Sequence, residues 1–153
     1  MDLFEKFKQK RLADEDKRLN EYNKKEEVKR INLEEQKRKN AELDQRRQHL
    51  SAQYNDIVIR VLRHIQDAVY PSYEVQANYS IPKWSIGNYV TSYGSWETSS
   101  TDWQTHVSVE IQVEKSPNMF TCTTTEGKKN CSLTENDLKN TLLQLHKKKL
   151  KGI

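Results

Sequence analysis

"LSAQYNDIVIRVLRHIQDAVYP", residues 50–71, carries the clearest fold signal in the chain. Its apolar side chains recur at intervals of three and four residues, which is the period of an amphipathic α-helix. The apolar stripe is wider than a coiled-coil seam, so it predicts a helix that packs on a sheet or a bundle. The helix is expected to end near Tyr70, because Pro71 disfavours a helical conformation in the preceding residue. The stripe consists of Leu50, Tyr54, Ile57, Val58, Val61, Leu62, Ile65, Ala68 and Val69.

Before this stretch, residues 1–49 are predicted to form a charged helical stalk. The first proline is Pro71 and the first glycine is Gly87, so the two strongest helix breakers are missing from this part of the chain. Residues 1–50 carry fifteen Lys or Arg and twelve Asp or Glu, which leaves little to bury. Seven acidic residues lie four positions before a basic one, the favourable order for a helical ion pair. The pairs are Asp2–Lys6, Asp14–Arg18, Glu21–Lys25, Glu26–Arg30, Glu34–Arg38, Glu35–Lys39 and Glu42–Arg46.

Leucines in the stalk follow the three-four spacing of a heptad, which indicates a coiled-coil contact with a second copy or a partner. The seam leucines are Leu12, Leu19, Leu33 and Leu43. Polar residues also fall on the seam and weaken it, so a single charged helix that bridges two contact points and a partly frayed arm remain as alternatives. These polar residues are Glu26, Lys29, Gln36, Asn40 and Arg47. At the start of the helix Leu3, Phe4 and Phe7 are expected to dock in a partner's groove, in preference to a membrane surface.

After Pro71 the pattern changes to the two-residue alternation of half-buried strands. Four strands are predicted, at about 72–81, 83–93, 103–115 and 118–125, with "GSWETSSTD" as an exposed loop before the third. Alternation places Trp103 and Val107 of the third strand towards the core, and His106 and Glu110 towards solvent.

The segment "SLTENDLKNTLLQLHKKKL", residues 132–150, predicts a helix at 134–149 with Thr134 as its N-cap. A sheet with one apolar face needs a cover, and the two apolar helical stripes supply one. The predicted fold is therefore α+β, with the stalk leading into a head at residues 50–149 and a basic tail at 150–153. In this head a four-stranded antiparallel sheet is covered by the end of the long helix and by the C-terminal helix.

The two cysteines, Cys122 and Cys131, fit a protein of the cytoplasm as reduced thiols. If Glu126 and Gly127 form a two-residue turn, the two cysteines face each other across a hairpin, close enough for a disulfide in an oxidising compartment. We expect a cytoplasmic location, because no apolar run approaches the roughly 18 residues of a membrane span and the first residues do not form a secretory signal.

The sequence contains no arrangement of residues that is typical of a particular enzymatic reaction. The histidines are scattered, and His106 with Glu110 on one predicted strand face is the nearest approach to a base with a carboxylate. Phosphate-binding glycine loops, nucleophile elbows and metal-ligand spacings are missing from the sequence. We therefore predict no catalytic, cofactor-binding or metal-binding residue, and a protein that is not an enzyme.

Aromatic residues cluster on the second predicted hairpin. Core packing explains Trp84 and Trp103, whereas Tyr89, Tyr93 and Trp96 are expected to contact a partner, since interfaces are enriched in Tyr and Trp. Base stacking is less favoured, because this stretch carries acids and almost no basic residue.

The basic C-terminal end is the candidate for contact with an anion. Its residues are Lys147, Lys148, Lys149 and Lys151. In the stalk, acids interleave with bases at every turn, which favours a solvated helix over a nucleic-acid-binding one.

The best hypothesis is a structural or adaptor subunit of a protein assembly, with the helix as spacer or coiled coil and the head as binding module. The alternative is a nucleic-acid-associated accessory protein that uses the basic tail and the stalk.

Overall fold

The computed structural model describes residues 2–94 and 99–151. Helix α1 (Leu3–Val69) is followed by strands β1 (Glu74–Asn78), β2 (Lys83–Tyr93), β3 (Ser99–Ile111), β4 (Phe120–Thr124) and β5 (Gly127–Cys131). Helices α2 (Glu135–Leu145) and α3 (Lys147–Lys151) come last. The predicted α+β class and the long N-terminal helix are confirmed, whereas the predicted number of four strands was wrong.

The five strands form one antiparallel sheet in the order β1-β2-β3-β4-β5. The additional strand β5 has the sequence GKKNC, which has no alternation of apolar and polar residues and therefore gave no strand signal. Its position at the sheet edge explains this composition, because edge strands commonly carry lysines that discourage pairing with other chains.

The chain divides into two units, one that ends at Glu42 and one that begins at Leu43. In the first unit all described side chains are exposed, as expected for a helix that is polar all round. Its ion pairs join partners other than the seven predicted ones. They link Arg11 with Glu15, Glu26 with Lys29, and Arg30 with both Glu27 and Glu34.

The core of the second unit lies between one face of the sheet and helices α1 and α2. Helix α1 contributes Val58, Val61, Leu62 and Ile65, and helix α2 contributes Leu138, Leu142 and Leu145. The sheet side of the core consists of Trp84, Ile86, Val107, Val109, Ile111, Phe120, Cys122 and Cys131. These layers confirm that the two predicted apolar stripes cover one face of the sheet.

Strands β2 and β3 contain a bulge that reverses the faces predicted for the first half of β3. Ile86 pairs with Val107 and Gly87 pairs with Thr105, so His106 is an extra residue in β3. As a result, Trp103 lies on the face of the sheet away from the helices, and His106 lies on the face towards them. The prediction of Trp103 in the core and His106 towards solvent was wrong, because alternation holds only where the ladder has no bulge.

The remaining boundaries differ in detail from the predictions. Strand β3 begins at Ser99, so residues 99–102 belong to a strand and not to the predicted loop. The N-cap is confirmed, because the Thr134 hydroxyl accepts a hydrogen bond of 3.3 Å from the Asp137 backbone N–H. The single helix predicted at 134–149 is divided into two helices in the structure. Helix α2 ends at Leu145, His146 forms its C-cap, and helix α3 begins at Lys147. Among the described helices, none combines the length and the apolar character needed to cross a membrane.

Candidate functional site

Strands β2 and β3 extend beyond the rest of the sheet as a two-stranded arm. The ladder with β1 ends at the pair of Glu74 with Gly87, and the ladder with β4 ends at the pair of Val107 with Thr124. Among the described residues, 88–93 therefore pair only with 99–104, from Asn88 opposite Gln104 to Tyr93 opposite Ser99. We call residues 88–93 and 99–105 the arm.

One face of the arm carries most of its aromatic surface. Tyr89 and Trp103 pair across the two strands, with ring centroids 5.1 Å apart and planes at 69°. Tyr89 is 54% exposed and Tyr93 is 85% exposed, so both predicted contact residues lie open to solvent. Trp96, the third predicted aromatic contact, lies outside the described residues. The placement of Tyr89 and Tyr93 makes this face the principal candidate site.

The indole ring of Trp103 lies close to Gly87. A Cβ atom added to Gly87 would meet two ring atoms of Trp103 at 2.8 and 2.9 Å and the Gln104 carbonyl oxygen at 2.1 Å. The indole N–H of Trp103 donates to the Thr105 hydroxyl at 3.0 Å. Glycine at position 87 therefore permits both the bulge and the close approach of the ring.

The N-terminal part of helix α1 presents the predicted apolar contacts on its surface. Leu3, Phe4 and Phe7 are all more than half exposed, and Phe4 reaches 81%. The leucines of the predicted seam in this unit, Leu12, Leu19 and Leu33, are also exposed. Leu43 belongs to the second unit and is half-buried. Apolar side chains of this size at a regular spacing are available for a partner.

Arg47, a polar residue of the predicted seam, and Leu50, one turn later, make contacts within the second unit. Arg47 binds Asp44 and Glu114, each at 3.1 Å. Leu50, in the next turn, packs against the core. At its C-terminal end the heptad pattern therefore runs into residues that already have contacts within the second unit.

The lysine-rich C-terminal end is partly used by the fold itself. Lys147, Lys148 and Lys149 are all exposed, and Lys149 also donates a hydrogen bond of 3.0 Å to the Tyr70 hydroxyl. The side chain of Lys151 lies outside the described residues. The three predicted anion contacts with a described side chain are therefore exposed, and one of them, Lys149, has a hydrogen-bond partner within the fold.

The exposed Lys149 begins a chain of hydrogen bonds that leads through Tyr70 to the buried His146. The His146 Nδ1 atom lies 2.6 Å from the Leu142 carbonyl oxygen, which can only accept, so Nδ1 carries the proton. Nε2 therefore accepts from the Tyr70 hydroxyl at 3.2 Å, and that hydroxyl in turn accepts from Lys149. Burial lowers the pKa of His146, and the positive charge of Lys149 adds to this, against the opposing influence of the Leu142 carbonyl and Glu126.

We expect the stability of the protein to fall as the pH drops below about 6.5, the ordinary pKa of histidine. The unfolded chain then takes up a proton that folded His146 resists, so protonation stabilises the unfolded state relative to the folded one. The loss is at most about 1.4 kcal/mol per pH unit for this one group. Chemical denaturation of the wild type and of His146→Gln between about pH 5 and 8 measures it.

The matched control is His64→Gln, because His64 lies exposed on helix α1. The His64→Gln protein should keep the pH dependence of the wild type, whereas His146→Gln should flatten it. Equal slopes in the wild type and His146→Gln would show that His146 does not resist protonation.

The cysteines do not face each other as predicted. The turn between β4 and β5 consists of Thr125 and Glu126, so Cys122 pairs with Lys129 and Cys131 pairs with Phe120. The register is shifted by two residues, which keeps both cysteines on the core face as diagonal neighbours. Both are buried and free. A hydrogen bond to Cys131 together with burial raises the pKa of Cys122, while the pKa of Cys131 is lowered because its thiolate accepts from Cys122 and Thr141.

The structure separates the side chains that came nearest to a catalytic pair. His106 accepts or donates a hydrogen bond of 3.0 Å with Asn88 and packs 4.7 Å from the Tyr73 ring on the helix-covered face. Glu110 pairs with Lys83 and points to the opposite face. Within the part of the chain that is described, no group of three His, Cys, Asp or Glu side chains is placed to hold a metal ion.

Sequence reasoning missed the free edge of the arm and the polar contacts that order it. The hydroxyls of Thr91 and Thr101 lie 3.1 Å apart across the arm, and the Gln76 amide donates to the Tyr89 hydroxyl at 2.7 Å. The one available signal was Gly87, because an isolated glycine within a strand pattern indicates a bulge or a close backbone approach.

Comparisons of the chain with protein-family models, curated proteins and solved structures find no match.

Proposed function

We propose that this chain is a non-enzymatic structural or adaptor subunit of a larger protein assembly. The observation that carries the proposal is the combination of helix α1, unbroken from Leu3 to Val69, with exposed apolar residues on both the helix and the arm. Helix α1 serves as a spacer or as one strand of a coiled coil. The head serves as the binding module, with Tyr89 and Tyr93 as its contact residues.

The composition of the helix supports this function over a globular or catalytic one. All described side chains up to Glu42 are exposed, so the fold of this chain supplies no burial for Leu12, Leu19 or Leu33. Helices of this kind persist in water through pairs of charges along their surface, and they gain further stability when a partner covers the apolar positions. Leu3, Phe4 and Phe7 extend this apolar surface to the first turns, where a groove in a partner protein would cover them.

We expect Leu19→Lys to weaken self-association or partner association at least about ten-fold, because a charge replaces an apolar seam residue. Leu19 is 57% exposed, so the substitution leaves the fold of the isolated chain intact. Light scattering coupled to gel filtration, over a range of protein concentrations, measures the association.

Val28→Lys is the matched control, because Val28 is 56% exposed on the same helix but lies outside the seam series. It should leave the association unchanged. A helix that acts as a spacer alone would show no effect of either substitution. A strictly monomeric protein that binds no other protein would contradict the assembly function altogether.

The alternative function is that of a nucleic-acid-associated accessory protein. Lys147 and Lys148 are exposed and support it, since phosphate contacts supply most of the affinity in such complexes. Lys149 is also exposed, although its ammonium group donates one hydrogen bond to Tyr70. The assembly function has the stronger support, because its contact residues are more numerous and are exposed on both the helix and the arm.

A further inference from the structure

The arm has an exposed strand edge that is free along β2. Beyond Gly87, strand β1 no longer pairs with β2, and among the described residues 88–93 have a ladder partner only on the β3 side. An unpaired edge presents a row of backbone N–H and C=O groups that can pair with a strand from another chain. A two-stranded ribbon is also only marginally stable by itself, so an additional strand would stabilise the arm.

This edge lacks the devices by which proteins protect their sheet edges. Residues 88–93 read NYVTSY, with no charged residue and no proline. The edge strand β5, by contrast, carries Lys128 and Lys129. Charge, proline and bulges are the usual means of preventing pairing between edges, so the β2 edge of the arm is open to it.

We propose that the β2 edge of the arm pairs, in antiparallel orientation, with the same edge of a second copy of this chain. This proposal rests on the proposed function and names the partner of the head. A two-fold axis through Thr91 sets the register: Thr91 lies opposite the partner's Thr91, and Tyr89 lies opposite the partner's Tyr93. Such an interface is closed, since the same residues are used on both copies.

The sequence of the edge is self-complementary in this register. Tyr89, Thr91 and Tyr93 alternate onto one face of β2, so the pairing brings two aromatic pairs and one pair of threonines together on that face. Aromatic and Thr–Thr pairs are among the cross-strand pairs that stabilise sheets. Val90 lies opposite the partner's Ser92 on the other face, and no like charges meet along the whole edge.

The composition of the arm also argues against pairing at its β3 edge and against the binding of nucleic acid. The β3 edge carries Asp102 and ends in the bulge at His106, both of which discourage pairing. Residues 88–105 contain no Lys or Arg, so the arm offers nothing to neutralise a phosphate backbone. The partner that best fits the β2 edge is a neutral strand edge of another protein chain. A second copy of this chain supplies such an edge, with a matching residue at each position.

The first test compares Thr91→Lys with Thr101→Lys in the full chain. Both substitutions remove the same hydrogen bond within the arm, because the two hydroxyls bond each other. Only Thr91→Lys places two lysines opposite each other at the two-fold axis. It should raise the dissociation constant of this contact at least about ten-fold, and Thr101→Lys should change it by less than about three-fold.

Sedimentation equilibrium at several protein concentrations measures both variants. Circular dichroism and the melting temperature show that the two variants are equally folded. Where the wild type is associated through the arm, Thr91→Lys should lower the mean molar mass at protein concentrations near the wild-type dissociation constant. Equal masses for Thr91→Lys and the wild type would overturn the β2 contact while leaving association through the helix, and hence the proposed function, intact. A wild type that binds other proteins but never itself would overturn it in the same way.

The second test examines the register through Tyr89→Glu and Tyr93→Lys. Each substitution alone removes aromatic pairs and should weaken association about ten-fold. In the chain that carries both substitutions, the introduced glutamate of each copy faces the introduced lysine of the other copy. Association should then recover about ten-fold relative to either single variant, because two pairs of opposite charges form across the interface. Additive loss in the double variant would overturn the proposed register.

Discussion

Replacing Trp84 with alanine is expected to lower the free energy of unfolding by about 4 kcal/mol, as is usual for a large buried aromatic residue. Trp84 is 1% exposed and packs in the core between β2 and helix α1. Its indole N–H donates to the Asn55 side chain at 3.0 Å, so the substitution removes packing and leaves Asn55 without this donor. Urea denaturation followed by circular dichroism measures the change.

The matched control for this prediction is Trp103→Ala. Trp103 is half-buried on the open face, where it contacts Gly87 and Tyr89. Its removal should cost about 1 kcal/mol, because less apolar area is lost and no enclosed cavity is left. The comparison tests the bulge directly, since an unbroken alternation would place both tryptophans in the core. Equal losses would contradict the faces described for strand β3.

Replacing Gly87 with alanine is expected to cost about 3 kcal/mol, at the upper end of the usual range for overpacking. The added Cβ would lie 2.1 Å from the Gln104 carbonyl oxygen, which belongs to the backbone and cannot rotate away. The strands at the bulge would have to separate, which weakens the base of the arm. Chemical denaturation gives the loss, and the near-ultraviolet circular dichroism of the aromatic rings reports on the displacement of Trp103.

Two further variants show which contact causes the loss of stability in Gly87→Ala. Ser85→Ala changes the preceding residue on the same face of β2 and should cost less than about 1 kcal/mol. Trp103→Ala in the Gly87→Ala protein removes the ring contacts at 2.8 and 2.9 Å but keeps the carbonyl contact. It should therefore recover only part of the loss caused by Gly87→Ala. Wild-type stability in Gly87→Ala would show that the strands adapt at no cost.

Much of the fold was predictable because neighbouring residues along the chain decide it. The long helix follows from the missing helix breakers before Pro71, and its packing face follows from the apolar stripe that includes Val58, Leu62 and Ile65. The N-cap at Thr134 depends on a residue three positions away, Asp137, and was also predicted correctly. These features depend on local backbone geometry and on the period of apolar residues.

The candidate site was predicted in composition but not in geometry. Tyr89 and Tyr93 were expected at a surface, and both are exposed. Trp103 was expected in the core, yet it joins Tyr89 on the open face, because one extra residue in β3 reverses the alternation before it. The edge along residues 88–93 was not predicted at all, since it exists only because β1 is shorter than β2.

The long helix, the positions of most strands and the apolar stripes that cover the sheet could all be derived from the order of residues along the chain. The fifth strand, the diagonal placement of Cys122 and Cys131, and the side of the sheet on which Trp103 and His106 lie became known only from the folded chain. The physical reason is the range of the interactions. Helix formation and amphipathic patterns involve residues a few positions apart, whereas the register of a sheet depends on where separate strands end and on the bulge next to Gly87, where only a glycine leaves room for Trp103.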